Sequence, residues 1–399
     1  MRCSRWLVVA GMMALAVWPI AGRAQEPRAN TLTPQEVADG WILLFDGETT
    51  FGWQPRGEAE WSVRDGALVP IPGKRGFLVT TTEFANFVLK VDFMPDPRVN
   101  SGVFLRCPTG EINQNTAYEV NIADSHPQWP TGSINGIART QLRRPNSVGR
   151  WNTFEIRMEG ERLTVLLNGR PSVTATDSKY VRGPIALQYN GEGEVRFRNL
   201  RLKPLGLQPI FNGKDLTGWR VIPGRRSVYS VTPEGYLNVK NGPGDLQTES
   251  QWGDFVLQLD IISNGTHLNS GVFFRGDLGQ FWSGYESQIR NQWVGDDRTK
   301  PVDFGTGGIY GRQPARRVIP NDREWFTKTI VCTGNHIAVW VNGIQVSDFT
   351  DTRPPSDNAR QGFRARPGSI SLQGHDPATD LSFRNLRAAE YPPARPAPR

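Results

Sequence analysis

Apolar and polar positions alternate with a period of two along most of the chain. In residues 87–93 every second residue is large and apolar (Phe87, Leu89, Val91 and Phe93), and residues 255–261 repeat the alternation. This period predicts half-buried β-strands. Helical stripes of ten or more residues are missing, and only a short helical start is predicted at residues 33–36. Many short strands separated by Gly and Pro predict an all-β fold, an antiparallel sandwich or jelly roll.

Two Asn-Gly pairs mark predicted hairpins. The pairs Asn168–Gly169 and Asn342–Gly343 each stand between two β-rich runs. Asn-Gly suits the tight two-residue turn that joins antiparallel strands, because both residues accept a positive φ.

The chain contains a long internal repeat. The heptad NSGVFFR at 269–275 differs in one residue from NSGVFLR at 100–106, and further matches flank it in the same order. The offset between matches grows from 166 residues at Leu44 to 186 at Phe197, so the second copy carries insertions, which loops tolerate best. The repeat predicts two tandem domains, a first copy at 41–204 and a second copy at 205–390, packed side by side across a short boundary.

The termini are predicted to lie outside the two domains. Residues 1–24 hold Arg2 and Arg5, an apolar run and small residues before a cleavage site, which is the pattern of a secretory signal peptide. The run is short for a membrane anchor. We therefore expect a secreted or periplasmic bacterial protein without a membrane span after cleavage. Residues 25–40 are predicted to be a linker, and residues 391–399 a Pro-rich tail.

Charge and cysteine content limit the kinds of partner that the protein is expected to bind. Residues 1–24 hold three arginines and no acid, so the net charge falls from +7 to +4 after their removal. The basic residues are scattered and form no block interleaved with aromatics, which argues against nucleic-acid binding. The mature chain has two cysteines, Cys107 and Cys332. We expect two buried free thiols rather than a disulfide, and no cysteine spacing indicates a metal site.

Strand parity predicts one polar surface in the second copy. Alternation places Asn269, Gly271 and Arg275 on a single face of their strand. Two further strands each offer a polar face, and Gly271 is expected to let a ligand approach the backbone. If these faces belong to one sheet, five side chains converge: Arg275, Glu286, Gln288, Gln373 and His375.

The first copy offers a similar but less complete set. The same parity gives Asn100, Arg106, Glu119, Asn121 and Gln188, with Asp124 at the end of its strand and Asn190 where the second copy has His375. Polar residues that alternate along a strand are usually the wet face of a half-buried sheet. The retention of Arg, Glu and Gln in both copies favours a functional interpretation.

The ordered motifs resemble the 3-keto-disaccharide hydrolase domain family. They include the NSGVFFR heptad, YESQI at 285–289, GIY at 308–310 and LQGH at 372–375. The resemblance covers both copies and implies a concanavalin-like jelly roll that acts on glycosides. The second copy departs at Asn291, where the family usually has Asp. The first copy departs further, at Asn121 and at Tyr189–Asn190.

The resemblance implies cleavage of 3-keto-glycosides or 3-keto-disaccharides. A ketone at C3 makes the C2 proton removable, and its loss expels the C1 substituent before water adds. Such a site needs a base, a donor for the enediolate oxygen and an acid. The assigned catalytic residues are His375 as base, Arg275 as oxyanion stabiliser and Glu286 as acid or metal ligand. The expected substrate-binding residues are Gln288, Gln373, Asn269, Tyr285, Arg106, Glu119, Asn121, Asp124 and Gln188.

No cofactor is firmly implied, although a divalent metal suits an enediolate. One alternative is a non-catalytic, lectin-like carbohydrate-binding module, in which Trp252, Trp282 or Trp293 forms a sugar platform. Core packing is the commoner role of such aromatics. An ordinary retaining glycosidase needs two close carboxylates. The nearest candidates, Glu119 and Asp124, offer only one acid per strand face, so we discount this alternative.

Overall fold

The computed structural model describes residues 28–143 and 145–393. It shows two antiparallel β-sandwiches in tandem, each built from one eight-stranded and one five-stranded sheet. The predicted fold class, two tandem concanavalin-like jelly rolls, is confirmed. The signal-peptide prediction for residues 1–24 lies outside the described residues, as does the tail from residue 394 onward. Within the described ranges, no helix is both long and apolar enough to cross a membrane.

The first sandwich follows α1 (Pro34–Ala38), the only helix among the described residues. Its large sheet has the order β11-β10-β9-β6-β13-β4-β3, with β1 added beside β13, and its small sheet has the order β2-β5-β12-β7-β8. The strands are β1 (Ile42–Leu43), β2 (Trp53–Gly57), β3 (Trp61–Arg64), β4 (Ala67–Pro70), β5 (Gly76–Thr80), β6 (Phe87–Pro95), β7 (Ser101–Leu105), β8 (Tyr118–Ile122), β9 (Asn152–Glu159), β10 (Arg162–Leu167), β11 (Arg170–Thr176), β12 (Ala186–Tyr189) and β13 (Val195–Pro204).

The second sandwich repeats this topology strand for strand. Its large sheet has the order β16-β17-β28-β19-β24-β25-β26, with β14 beside β28, and its small sheet has the order β15-β18-β27-β20-β21. A two-stranded hairpin, β22 with β23, is an addition of this copy. The strands are β14 (Gln208–Pro209), β15 (Trp219–Val221), β16 (Val228–Val231), β17 (Leu237–Lys240), β18 (Gly244–Thr248), β19 (Phe255–Ser263), β20 (Ser270–Gly276), β21 (Tyr285–Ile289), β22 (Trp293–Val294), β23 (Asp297–Pro301), β24 (Phe326–Thr333), β25 (His336–Val341), β26 (Ile344–Thr350), β27 (Ser369–Gly374) and β28 (Asp380–Glu390).

Alternation along the strands builds each core. Phe87, Leu89, Val91 and Phe93 of β6 are fully buried between the two sheets of the first sandwich. The matching residues of β19 are buried in the second sandwich. Both Asn-Gly pairs form the predicted two-residue hairpin turns with positive φ, since Leu167 pairs with Arg170 and Val341 with Ile344.

The two sandwiches pack directly against each other. The indole of Trp340 in β25 lies against Phe84 and donates to the carbonyl of Leu43 at 2.9 Å. An ion pair of 2.7 Å joins Asp46 of the first sandwich to Arg316 of the second. Burial of Trp340 and the partly buried ion pair together fix the side-by-side arrangement.

Residues 28–40, predicted as a linker, are tied to both sandwiches. Asn30 and Asn199 exchange two backbone-to-side-chain hydrogen bonds, and Glu36 pairs with Arg201. Gln258 donates to the carbonyl of Gly40. Polar side chains from the middle of β13 and β19 therefore fix this segment against both sandwiches.

Cys107 and Cys332 are buried free thiols, as predicted. They belong to different sandwiches and are enclosed among apolar side chains. Their role in the structure is therefore that of small core residues.

Candidate functional site

A cavity of about 250 Å³ lies on the outer face of the small sheet of the second sandwich. Side chains of β20, β21 and β27 form its floor, and the loop at 277–284 and Tyr310 form its walls. The loops bury polar residues that would otherwise be the wet face of the sheet. The cavity is lined by Asn269, Phe281, Trp282, Glu286, Gln288, Tyr310, Gln373 and His375.

Strand register sets the positions of the polar side chains. Asp245 of β18 pairs with Gln373 of β27, and Gly271 of β20 pairs with Gln288 of β21. Because side chains that share a face recur every second residue, these residues project from the same side of the sheet. The sequence prediction that Glu286, Gln288, Gln373 and His375 converge is confirmed by this geometry.

Glu286 is a buried carboxyl group paired with one cation. Its side chain is 3% exposed, and Oε2 accepts from Nη2 of Arg360 at 3.0 Å. Burial raises the pKa of Glu286 to about 7, while the nearby Arg360 and His375 act in the opposite direction. At neutral pH the group therefore exists in both protonation states, which suits an acid or base catalyst.

Gly271 makes room for Glu286. A Cβ built at Gly271 would lie 2.6 Å from Oε1 of Glu286, and one at Gly102 would lie 2.8 Å from Oε1 of Glu119. The expectation that Gly271 brings a ligand close to the backbone is therefore wrong. Glycine is needed at this position in both copies because the side chain of a glutamate on the neighbouring strand lies directly over it.

His375 lies at the mouth of the cavity with its side chain 42% exposed. Its Nδ1–H donates to Oδ2 of Asp376 at 2.8 Å, which orients the ring. Its Nε2 lies 3.4 Å from Nδ2 of Asn269, a weak contact. In this tautomer Nε2 carries a lone pair toward the cavity, as a general base requires.

Three buried oxygen atoms at the site have no hydrogen-bond partner. They are Oδ1 of Asp245, Oε1 of Gln373 and Oδ1 of Asn269. Buried acceptors are normally satisfied, so each of these atoms calls for a donor from a bound molecule or water. Gln373 and Asn269 both line the cavity, so two unpaired acceptors belong to one small space, which matches a ligand with hydroxyl groups.

Asp245 is a second buried acid, beneath the cavity wall. Burial raises its pKa to about 6, against the effect of a hydrogen bond from the Trp282 amide and the charges of Arg225 and Arg360. The Trp282 amide donates to Oδ2 of Asp245 at 2.7 Å. Asp245 thus holds the backbone of the loop that carries Trp282.

A buried lysine supports the floor from inside the sandwich. Nζ of Lys328 donates to the carbonyls of Ser287 and Gln288 at 3.1 and 2.9 Å. Complete burial lowers the pKa of Lys328 to about 7, although the charge of Glu286 raises it. The first copy has Phe154 at this position of the strand, stacked on Phe93. The buried lysine beneath the floor is therefore a feature of the second copy.

Arg275 does not reach the cavity. Its φ is +53°, and the pairing of β20 with β27 shifts register between Phe273 and Gly276, so the strict alternation ends before Arg275. The buried guanidinium donates to the carbonyls of Gly253, Gly334 and Arg364 and to Asp254. The predicted convergence of Arg275 with Glu286 and His375 is wrong, and Arg360 supplies the cation instead.

Arg106 has the same structural position in the first copy. Its φ is also +53°, and its guanidinium donates to the carbonyls of Ala85, Gly160 and Tyr180. The arginine is thus retained because a bulged strand end needs a cation to satisfy inward-pointing carbonyls. Its expected substrate-binding role is not supported by this placement.

Tyr285 also lies outside the cavity. Its ring belongs to the core, and its hydroxyl donates to Oδ2 of Asp351 at 2.7 Å while it accepts from the Arg364 amide. Tyr118 makes the corresponding bond to Asp177. The predicted substrate contact of Tyr285 is therefore wrong, because odd-numbered residues of β21 face inward.

The equivalent face of the first copy carries more apolar residues. Phe77 stands where the second copy has Asp245, and its ring meets Phe104 edge-on at 5.2 Å. Ile112 and Ala117 of the covering loop pack onto Phe104. These apolar groups cover part of the surface that is polar in the second copy.

The predicted polar residues of the first copy are only partly together. Glu119, Asn121 and Gln188 lie on this outer face, and burial raises the pKa of Glu119 to about 7. Oε2 of Glu119 accepts from Nδ2 of Asn135 at 2.7 Å rather than from an arginine. Asp124 accepts from Ser147 and lines a different cavity, so it does not join the set.

Sequence reasoning missed Asp245, Arg360 and Lys328. A signal for Asp245 existed, because GDLQT at 244–248 corresponds to GFLVT at 76–80 with polar residues at the outward positions. No such signal existed for Arg360. It lies in an insertion that gives 16 residues between Asp351 and Gly368, where the first copy has five between Asp177 and Gly183.

The tryptophans named as possible platforms have different surroundings. Trp282 lines the cavity. Trp252 packs against the core, and Trp293 is covered by the guanidinium of Arg298 at 4.0 Å. Among residues 28–143 and 145–393, no group of three or more His, Cys, Asp or Glu side chains is placed to hold a metal ion.

The fold and the hydroxyl-matching cavity define a carbohydrate-acting protein made of two β-sandwiches, one of which has the more complete site. The profile of the 3-keto-alpha-glucoside-1,2-lyase-like domain matches residues 40–203 and again residues 206–389. The chain therefore belongs to this family, with two tandem copies of its domain.

One curated relative is a 3-keto-disaccharide hydrolase from Bacteroides thetaiotaomicron. It is 32% identical over 152 residues, which cover 30% of this chain and 52% of the relative. The match thus spans about half the length of that relative.

Solved structures with a similar fold include a candidate glycosyl hydrolase from Parabacteroides distasonis, 22% identical, with a TM-score of 0.41 over 45% of this chain and 100% of that one. A carbohydrate-binding module from Bacillus subtilis is 18% identical, with a TM-score of 0.31 over 38% of this chain and 94% of that one.

Proposed function

We propose that the second sandwich cleaves 3-keto-glycosides by elimination across C1 and C2, followed by addition of water. The observation that carries the proposal is Glu286, which is buried, is paired with Arg360 and lines the same small cavity as His375. The family and its curated relative support a 3-keto sugar as the substrate. Export from the cytoplasm, predicted from residues 1–24, is part of the proposal.

The roles follow from where each group lies. Nε2 of His375 takes the proton from C2, and the ketone at C3 accepts the electron pair as an enolate. The C1–O bond then breaks, and protonated Glu286 gives its proton to the departing oxygen. Arg360 supplies the positive charge in place of Arg275, because its guanidinium lies beside Glu286 in a largely buried position.

Hydration completes the reaction with the same groups. Water adds its hydroxyl to C1 and a proton returns to C2, so the product is the free 3-keto sugar. Glu286, deprotonated by the first step, takes the proton from water, and protonated His375 returns a proton to C2. The unpaired acceptors of Gln373 and Asn269 would hold hydroxyl groups of the ring.

The direct test is incubation of the protein with a 3-keto-disaccharide and, separately, with its unoxidised parent. We expect cleavage of the keto compound alone, with solvent deuterium incorporated at C2 of the product. Parallel reactions with and without a chelator report whether a divalent metal contributes.

Two outcomes would overturn the proposal. Cleavage of the unoxidised parent would indicate an ordinary glycosidase. Binding of the keto compound without cleavage would favour the lectin-like alternative, which the unpaired acceptors at the cavity also support.

The Arg360→Met variant should move the alkaline limit of activity to higher pH. Glu286 acts in its protonated form, so kcat/KM falls above its pKa of about 7. Arg360 lowers that pKa, and its removal therefore raises the pKa and extends the active range upward while the maximal rate drops. The measurement is kcat/KM between pH 5 and 10 for the wild type and the variant.

The matched control for this shift is Arg360→Lys, which keeps the charge. Its alkaline limb should stay closer to that of the wild type. A limb that does not move in Arg360→Met, or that moves downward, would show that Glu286 is not the titrating acid.

A further inference from the structure

An aromatic wall at the cavity mouth has no part in the proposed reaction. Phe281 and Trp282 line the cavity on the loop between β20 and β21, and Trp282 is 46% exposed. Large aromatic groups in soluble proteins are usually buried, so exposure beside a polar cavity needs a reason.

The backbone of Trp282 is held in a strained conformation by a hydrogen bond. Its φ is +59°, a conformation that is unfavourable for a bulky residue. The strained amide donates to the buried carboxyl of Asp245 at 2.7 Å. Strain held by a buried partner is typical of functional sites.

Cations cover part of the wall and leave the rest open. The guanidinium of Arg360 stacks on the Trp282 ring at 4.0 Å, and that of Arg225 stacks on Phe281 at 4.2 Å. Arg360 is itself fixed by Glu286, so the indole plane is set relative to the proposed acid. The ring surface of Trp282 away from Arg360 remains accessible.

The size of the cavity separates two sugar rings. About 250 Å³ is below the usual range for pockets that enclose a drug-sized ligand, and it suits a single pyranose. A second ring attached through C1 must lie outside, at the mouth. Trp282 is exposed there, close to Glu286, the group that would protonate the bridging oxygen.

The first copy lacks this wall. Its corresponding loop, residues 107–117, contains no aromatic residue, and its Ile112 and Ala117 pack down onto the sheet. The exposed tryptophan therefore occurs in the copy that has the polar cavity.

We propose that Trp282 is the subsite for the leaving-group ring of the glycoside. The apolar C–H face of a pyranose would stack on the exposed indole face while the oxidised ring occupies the cavity. The protein would then act on the terminal residue of a disaccharide. This inference rests on the proposed function for its chemistry.

The experiment compares two substrates that differ only in the leaving group, a 3-keto-disaccharide and the methyl 3-keto-glucoside. For Trp282→Ala we expect KM to rise about tenfold for the disaccharide and to stay within about twofold for the methyl compound, since one aromatic stack contributes roughly that much. Trp282→Phe should restore most of the affinity. Leu278→Ala removes another exposed apolar side chain of the same loop and should change neither value.

A second measurement separates the subsite from the reaction. Calorimetric binding of the same two compounds to Glu286→Gln, with and without Trp282→Ala, needs no turnover. Loss of disaccharide binding alone supports the subsite even if no keto substrate is cleaved. Equal effects on both compounds, or an effect on neither, overturn it.

Discussion

Glu286→Gln is expected to lower kcat/KM for a 3-keto-disaccharide by about 10²- to 10⁴-fold, the range that general acid–base catalysis contributes. Glutamine keeps the shape of the side chain and an acceptor for Arg360, but it has no proton to give to the departing oxygen. Steady-state kinetics with the purified full-length protein would measure the loss.

The first copy supplies the matched control. Glu119 is buried like Glu286, and burial raises the pKa of both carboxyls to about 7. Glu119 is hydrogen-bonded to Asn135 and lies on the same face as Phe77 and Phe104, and no arginine of the described ranges pairs with it. We therefore expect Glu119→Gln to leave kcat/KM within about twofold of the wild type, because burial alone does not make a catalyst.

Comparison of the two variants decides between the copies. Equal losses would show that both sandwiches are active or that the effect is structural. A change of only a few-fold in Glu286→Gln would remove Glu286 from the reaction. Thermal unfolding of both variants distinguishes lost chemistry from lost stability.

His375→Asn is expected to reduce kcat/KM by a similar factor, about 10²- to 10⁴-fold. This substitution installs the residue that the first copy carries at Asn190. Asparagine has no basic nitrogen, so removal of the C2 proton should fail before any bond to the leaving group breaks. Exchange of the C2 hydrogen with solvent deuterium, followed by mass spectrometry, measures that step directly.

Exposure of His375 allows a rescue experiment. The side chain is 42% exposed at the cavity mouth, so added imidazole can reach the space left in His375→Ala. Recovery of C2 exchange with imidazole supports a base at this position. Undiminished exchange in His375→Asn would contradict the assignment and transfer the role to another group.

The reverse substitution, Asn190→His, should not create activity in the first copy. That sandwich also has Phe77 where the second has Asp245, and its shorter loop carries no counterpart of Arg360. An active site appearing from this single change, measured in a Glu286→Gln background, would show that the other differences matter little.

Much of the site could be predicted because a strand presents alternate residues to one face. That regularity placed Glu286, Gln288 and Gln373 together correctly. The same rule failed for Arg275, since a residue with positive φ at a bulge leaves the alternation. It also made Arg106 and Arg275 look functional, although each satisfies carbonyl groups at a strand end.

The duplication, the strand-rich fold and the difference in polar residues between the two copies could all be predicted from the sequence. They depend on repeated motifs, a period of two and single positions such as Asn190 against His375, which are visible in the linear chain. The cation partner of Glu286, the buried Lys328 and the selection of Trp282 among the three candidate tryptophans were decided only in three dimensions. Arg360 lies 74 residues from Glu286 along the chain, within an irregular insertion, and periodicity carries no information about where such a loop folds back.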